Sequence, residues 1–392
     1  MEGGDADVLV VGAGVVGLSA ARSLARRGRK VVVCERSTVG HAHAGSKGSA
    51  RIFRLGYDDP GYVRLAMVAQ RLWRQWEDES GTALLTTTGQ VSFGDDLDVL
   101  VDALAQAGAP QQKMGADEVA ERFPTLSVPG TAVYEPESGV IAADDCLGLL
   151  RRVDGVAVRE GTRVVRLDDD GRDVGVVVEA AGTVDELRVR GVVVCAGPWT
   201  GPVVAGGGVG LRPLATLEQV AYLGPVDSAA DGGVEAMPVF VERRHPWFYG
   251  LPVASSGLLK VSLHGAGPGV SLDDLESDDA DDGPDPVLVA ALTAAARRVL
   301  RGLAPEPVAT ERCLYDNSPD GDFVVDRVGR IVIGSGTSGH GFKFAPLLGE
   351  MLADLVTGAP FDPDLGRPGD LGRFRSGRLP SLADRAGPTV HP

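Results

Sequence analysis

Gly12-Ala13-Gly14-Val15-Val16-Gly17 stands between an apolar run and a helical pattern, the setting in which a glycine-rich turn cradles a pyrophosphate. Such a turn needs left-handed backbone at Gly12, no Cβ at Gly14 where phosphate approaches the helix N-terminus, and close helix–strand packing at Gly17. Glu35 ends the next apolar run, followed by Arg36, and its carboxylate is placed to accept from ribose hydroxyls. An acid at that point favours an unphosphorylated ribose, hence FAD or NAD over NADP. Lys30, Lys47, Lys113, Lys260 and Lys343 are the only lysines among 38 basic residues. Where arginine meets most needs for positive charge, a lysine hints that a compact or deprotonatable amine is wanted. Cys34, Cys146, Cys195 and Cys313 are scattered without the spacing of metal ligands, so no metal is expected and reduced thiols in the cytoplasm are the simplest reading.

These residues need elements to hold them. Residues 7–11 read as a buried parallel strand, 18–27 as a helix and 30–34 as a second strand, a βαβ unit. Apolar residues recur at helical spacing over 60–79. Short alternating runs at 87–93, 131–134, 219–223, 239–242 and 258–264 predict an antiparallel sheet outside the nucleotide unit. Residues 156–165, 176–180 and 192–195 read as returns to the nucleotide unit, the last ending in Ala196-Gly197-Pro198. The fold class expected is α/β (α+β): a Rossmann-like domain from 1–85, 145–210 and 318–375, interleaved with a substrate domain from 86–144 and 211–317 on a mixed, largely antiparallel sheet. Residues 271–286 are rich in aspartate and read as a solvated loop before a helix at 287–303, and the chain after Gly366, with the tail 376–392, reads as loosely held.

A chain of 392 residues with 44% hydrophobic content supports two such domains. The net charge of −16, with no basic run to offset it, argues against a nucleic-acid partner. No apolar stretch reaches the roughly 18–20 residues needed to span a bilayer, and the first apolar run lacks the basic flank of a leader.

Four later strings carry more. Ser338-Gly339-His340-Gly341-Phe342-Lys343-Phe344 follows an apolar strand at 331–333, and Ala50-Arg51-Ile52-Phe53-Arg54 follows the glycine- and serine-containing loop 45–49. Cys313-Leu314-Tyr315 and Tyr249-Gly250-Leu251-Pro252, with Lys260 and His264 beyond it, complete the set. Over roughly residues 7–360 the chain resembles the monomeric sarcosine oxidase and N-methyltryptophan oxidase group of the D-amino-acid-oxidase (DAO) superfamily of FAD-dependent oxidoreductases.

The resemblance implies FAD held by Gly12, Gly14, Val15, Val16, Gly17, Glu35, Arg36, Gly45, Ser46, Arg51, Ile52, Val164, Ala196, Gly197, Trp199, Gly336, Ser338, Gly339, His340, Gly341, Phe342 and Lys343, and bonded covalently through Cys313 to its 8α-methyl. That bond needs a thiolate. Arg312 would favour one if it pointed the same way, although strand alternation points it elsewhere. By the same resemblance Arg54 and Lys343 hold the substrate carboxylate, Tyr249 and Tyr315 line the pocket with His264 as a further candidate, and Lys260, with Arg51 nearby, serves dioxygen. The activity implied is hydride transfer from the carbon beside the nitrogen of a small amino acid, a secondary or cyclic amine with a free carboxylate. It gives an imine, with O2 reduced to H2O2. The alternatives are an FAD-dependent monooxygenase and a flavoprotein subunit that passes electrons to a partner. A monomer is expected, with a dimer as the alternative. Two departures bear on the substrate. Lys47 and Ser49-Ala50 replace a histidine and an aspartate–threonine pair, so that Lys47 is a candidate reader of a second acidic group, and Phe240 replaces a methionine of the pocket.

Overall fold

The computed structural model describes residues 6–206, 210–226, 233–276, 283–360 and 372–378. Val8–Val11 has no polar side chain, which suits a parallel strand covered on both faces, and it is buried throughout. It pairs in parallel with Val31–Cys34 and with Gly191–Val194. Val156–Arg159 and Ile331–Ser335 extend the sheet on either side, and Val324–Val328 closes one edge antiparallel. Helices Val15–Arg26 and Ala345–Thr357 pack together over one face, so closely that a Cβ on Gly349 would meet the Ser19 backbone at 2.7 Å. The other face carries a three-stranded antiparallel sheet, Thr162–Asp169, Val174–Ala180 and Thr183–Val189, whose Val176 and Val178 share a core with Leu9, Val11 and Val192.

The expected single strand over 156–165 is therefore two. Gly161, at φ +63°, turns the chain out of the parallel sheet and into its cover. The run 87–93 divides in the same way at Gly89, at φ +72°. Leu85–Thr87 joins a small sheet with Ala50–Phe53 and Gly139–Ala142, while Gln90–Gly94 enters the large one.

That large sheet has eight strands, in the order Ala309–Asn317, Leu214–Leu223, Leu258–Leu263, Phe248–Val253, Val239–Arg243, Gln90–Gly94, Ala132–Glu135 and Gln112–Met114. Every neighbour pair is antiparallel except Val239–Arg243 with Gln90–Gly94. Helix Pro286–Val299 covers one face. It starts at Asp285, whose carboxylate caps the amides of Val287 and Leu288, and it buries Leu292, Ala295 and Val299 against Phe240, Phe248 and Val261. The fold class read from the sequence, a Rossmann-like unit with a mixed, largely antiparallel second sheet, is the one observed.

The long helix is Pro60–Ser80, capped by Asp59 and ended by Gly81 at φ +68°. Two loop expectations change. Leu272–Glu276 is a short helix inside the aspartate-rich stretch, whose residues 277–282 lie outside the described residues. Of the tail, 361–371 and 379–392 lie outside them as well, but 372–378 dock: Phe374 is buried against Tyr62 and Phe323, and Arg373 pairs with Asp59 and Asp322. Among the described residues no helix is long and apolar enough to cross a membrane.

Candidate active site

A continuous cleft runs from the glycine turn to the open face of the eight-stranded sheet. At its nucleotide end the turn is built as its glycines require. Gly12 has φ +96°, and a Cβ there would lie 2.4 Å from the Cys195 carbonyl. One on Gly17 would lie 2.1 Å from the Gly12 carbonyl. Glu35 accepts from the amides of Ala13 at 2.9 Å and Ser37 at 3.0 Å, which fixes its carboxylate at the end of its strand and leaves lone pairs for ribose hydroxyls. Ser46 Oγ accepts from the Val15 amide at 3.0 Å, tying the 45–49 loop to the helix N-terminus. The Arg36 guanidinium stacks 3.7 Å from the Trp199 ring. Trp199 Nε1 is buried and has no partner among the described residues, a donor left over in the cleft wall. A helix N-terminus whose N-cap is a glycine and whose first turn carries no acid, a fixed carboxylate and an orphan indole N–H together fit a dinucleotide.

Farther along, Lys343 reaches the cleft from the short 3-10 turn Phe342–Phe344 and is 6% exposed. Its ammonium donates to Tyr57 Oη at 3.0 Å and to the His340 carbonyl at 3.4 Å. Arg54 comes from the segment after Ala50–Phe53, and its guanidinium lies 4.5 Å from the Tyr57 ring and 5.4 Å from that of Trp247. Among the described residues neither cation forms an ion pair with a carboxylate. Burial, and then Arg54, pull the Lys343 ammonium well below its ordinary range. His264 lines the same end, its ring 5.8 Å from that of Tyr315, and burial, then Arg54 and Lys343, push it down to about 3. An uncompensated cationic pocket of this kind calls for an anion.

Lys260 projects from Leu258–Leu263, is 5% exposed, and donates to the Ala50 carbonyl at 3.3 Å. Burial first, and Arg51 second, push it down to about 7. Arg51 itself donates to the carbonyls of Ala50, Gly45 and Lys47, so it folds the 45–50 loop around its own guanidinium. Cys313 is the one half-buried cysteine of the four; burial raises the thiols of the others, Cys34 to about 11. Arg312 does not assist it, because that guanidinium donates to the carbonyls of Gly283 and Leu217 on the strand's other face.

Gly12, Gly14, Val15, Val16, Glu35, Arg36, Gly45, Ser46, Arg51, Ile52, Arg54, Val164, Ala196, Gly197, Trp199, Tyr249, Lys260, His264, Cys313, Tyr315, Gly339, His340, Gly341, Phe342 and Lys343 all line the cleft. Four sequence candidates do not. Gly17 is a packing glycine. Gly336 is a turn residue at φ +65°, and Ser338 is spent inward, its amide on the Asp316 carbonyl and its hydroxyl on the Ser318 amide. Lys47 gives its carbonyl to Arg51, and it is not among the residues of the cleft wall that holds Arg54 and Lys343. Phe240 faces the helix-covered core, its ring 2.4 Å from where a Gly250 Cβ would stand, and the neighbouring Val241 is the one in the cleft wall. Sequence reasoning missed Tyr57, Trp247 and Asp316. Only Tyr57 had a local signal, being three residues after Arg54.

A family model described as FAD dependent oxidoreductase (DAO) matches residues 7–355. The chain belongs to this family. FAD is accordingly the cofactor of this FAD-dependent oxidoreductase, and the glycine turn and Glu35 have the chemistry that a dinucleotide needs. The chain is 32% identical to peroxisomal sarcosine oxidase of Homo sapiens, over 96% of this chain and 97% of the human protein. It is 28% identical to monomeric sarcosine oxidase of Bacillus sp. (strain NS-129), over 92% of this chain and 95% of that one. The fold matches the open form of NikD, an unusual amino acid oxidase essential for nikkomycin biosynthesis, with a TM-score of 0.76 at 23% identity over 95% and 97% of the two chains.

Proposed function

We propose that this FAD-dependent oxidoreductase oxidises the C–N bond of a small amino acid, a secondary or cyclic amine with a free carboxylate, and passes the electrons to dioxygen to form hydrogen peroxide. One observation carries the reading. Arg54 and Lys343 meet in a buried cleft end with no carboxylate of the described chain to neutralise them. Arg54 offers a two-pronged contact and Lys343 a point charge, together enough to fix a substrate carboxylate and thereby the carbon that loses hydride. FAD, when bound, accepts that hydride. Tyr249 and Tyr315 close the pocket, and His264, kept neutral, spares it a third positive charge. Lys260 supplies a cation for oxygen reduction, a charge that lowers the barrier where negative charge develops.

Cys313 is the residue for a thioether to the flavin 8α-methyl, since it lines the cleft and is the one cysteine of the four that is not fully buried. The division into an FAD-binding and a substrate domain follows the boundaries given above. A visible spectrum before and after acid precipitation tests the cofactor assignment: yellow colour in the pellet is expected, and colour released to the supernatant removes the covalent link. Anaerobic bleaching by amino acids, with peroxide on readmitting air, tests the reaction. Bleaching by NADPH instead would replace this reading with a monooxygenase.

A further inference from the structure

Away from the substrate cations, three charged groups meet around a residue without a side chain. A Cβ built on Gly48, at φ +93°, would stand 3.5 Å from Arg51 Nη1, 3.5 Å from Glu311 Oε2 and 3.7 Å from Lys260 Nζ. Glu311 lies on Ala309–Asn317 two residues before Cys313, on the same face. Tyr222 sits between the partners: it is directly opposite Lys260 in the sheet, its ring is 5.9 Å from the ammonium, and its hydroxyl donates to Glu311 Oε2 at 3.0 Å. Lys260 is sealed from solvent, whereas Glu311 is only half-buried. Arg51 is already held by three carbonyls, so an acid is not required to fix it.

We infer that Glu311, held by Tyr222, carries protons from solvent to Lys260 during oxygen reduction. The inference rests on the oxidase reading above. When a neutral amine loses hydride it becomes an iminium cation, its nitrogen lone pair forming the new C=N bond. Dioxygen then takes up that electron pair with its hydrogen and needs one further proton to become hydrogen peroxide. Lys260 gives this proton from its ammonium and is left as the free amine. The Glu311 carboxylate takes a proton from solvent and passes it through a single water to that amine, so that lysine is again an ammonium and Glu311 again a carboxylate. No reactant beyond dioxygen is required.

The test uses the holoprotein reduced with dithionite, which bypasses the substrate, and mixes it with oxygen at a series of pH values. Glu311→Gln keeps an acceptor for Tyr222 but cannot ionise. Reoxidation at least about tenfold slower is expected, with its alkaline limb moved to lower pH. The visible absorbance of the oxidised, resting holoprotein should titrate at lower pH in the same variant, because the negative charge beside Lys260 is gone. Tyr222→Phe should give a smaller change in the same direction. Unchanged reoxidation, or slowing by one constant factor at every pH with the absorbance titration unmoved, would overturn the relay and leave Glu311 structural. Failure of any amino acid to bleach the wild-type protein would sink the oxidase reading alone, since neither readout here depends on substrate.

Discussion

Lys343 donates its ammonium proton to the Tyr57 hydroxyl at 3.0 Å, and that hydroxyl faces His340 Nδ1 at 3.4 Å. His340 Nε2 meets the Gly321 carbonyl at 3.1 Å and must be the protonated nitrogen, which leaves Nδ1 to accept from Tyr57. The chain of donors runs one way, from Lys343 through Tyr57 to a neutral imidazole, and burial, then Lys343, lower the imidazole well below its usual range. Tyr57 thus aims the lysine and Arg54 stacks on the same ring.

Removing that hydroxyl should loosen the lysine without emptying the pocket. For Tyr57→Phe we expect KM for the amino acid to rise about fivefold, the equivalent of roughly 1 kcal/mol, with kcat changed less. Steady-state kinetics with a parallel melting curve check this. A large loss of Tm with no change in KM would mean that Tyr57 serves packing alone.

Lys343 also predicts a proton balance. Burial and Arg54 depress its pKa, so above that pKa the amine is neutral; a bound carboxylate favours the ammonium and raises the pKa again. Binding therefore takes up a proton, and affinity falls as pH rises between the two values. Calorimetry of a carboxylate inhibitor in buffers of different ionisation enthalpy should show uptake. Lys343→Met should abolish it and weaken binding by about 2–4 kcal/mol.

For Lys260 the sign is simple. The group is pushed down to about 7, its charged form is the useful one, and oxygen reduction should be fastest below that value and fall as pH rises through it. Lys260→Met should flatten the profile and slow reoxidation about a hundredfold. Stopped-flow mixing with oxygen measures both, and a rate that climbs with pH would contradict the assignment.

Gly17→Ala places a methyl 2.1 Å from the Gly12 carbonyl and should yield colourless protein with lowered Tm, a cost of about 2 kcal/mol. Gly148→Ala, in helix Ala143–Leu150 with nothing within 4 Å of its new methyl, should remain yellow and at least as stable. Flavin content per mole of protein distinguishes the two.

The parts legible in the sequence were those whose chemistry is written locally. The glycine turn with Glu35, and the string that carries Lys343, keep their neighbours along the chain, and Gly12 to Val16, Glu35 and Gly339 to Lys343 line one cleft. What pairing and parity decide was not legible. Phe240 and Val241 differ by one residue and so face opposite sides of one sheet. Glu311 meets Tyr222 only because the sheet sets the strand of Tyr222 between those of Glu311 and Lys260, and the Lys47 carbonyl is taken up by Arg51, a contact that no local pattern shows. Gly89 and Gly161 each turned one apparent strand into two, which alternation alone does not reveal.

The most direct measurement compares a cyclic secondary amino acid with its methyl ester as reductants of the purified yellow protein, anaerobically and at equal concentration. If Arg54 and Lys343 hold the carboxylate, the free acid bleaches the flavin and the ester does so at least about a hundredfold more slowly. Bleaching of equal rate by both would contradict it.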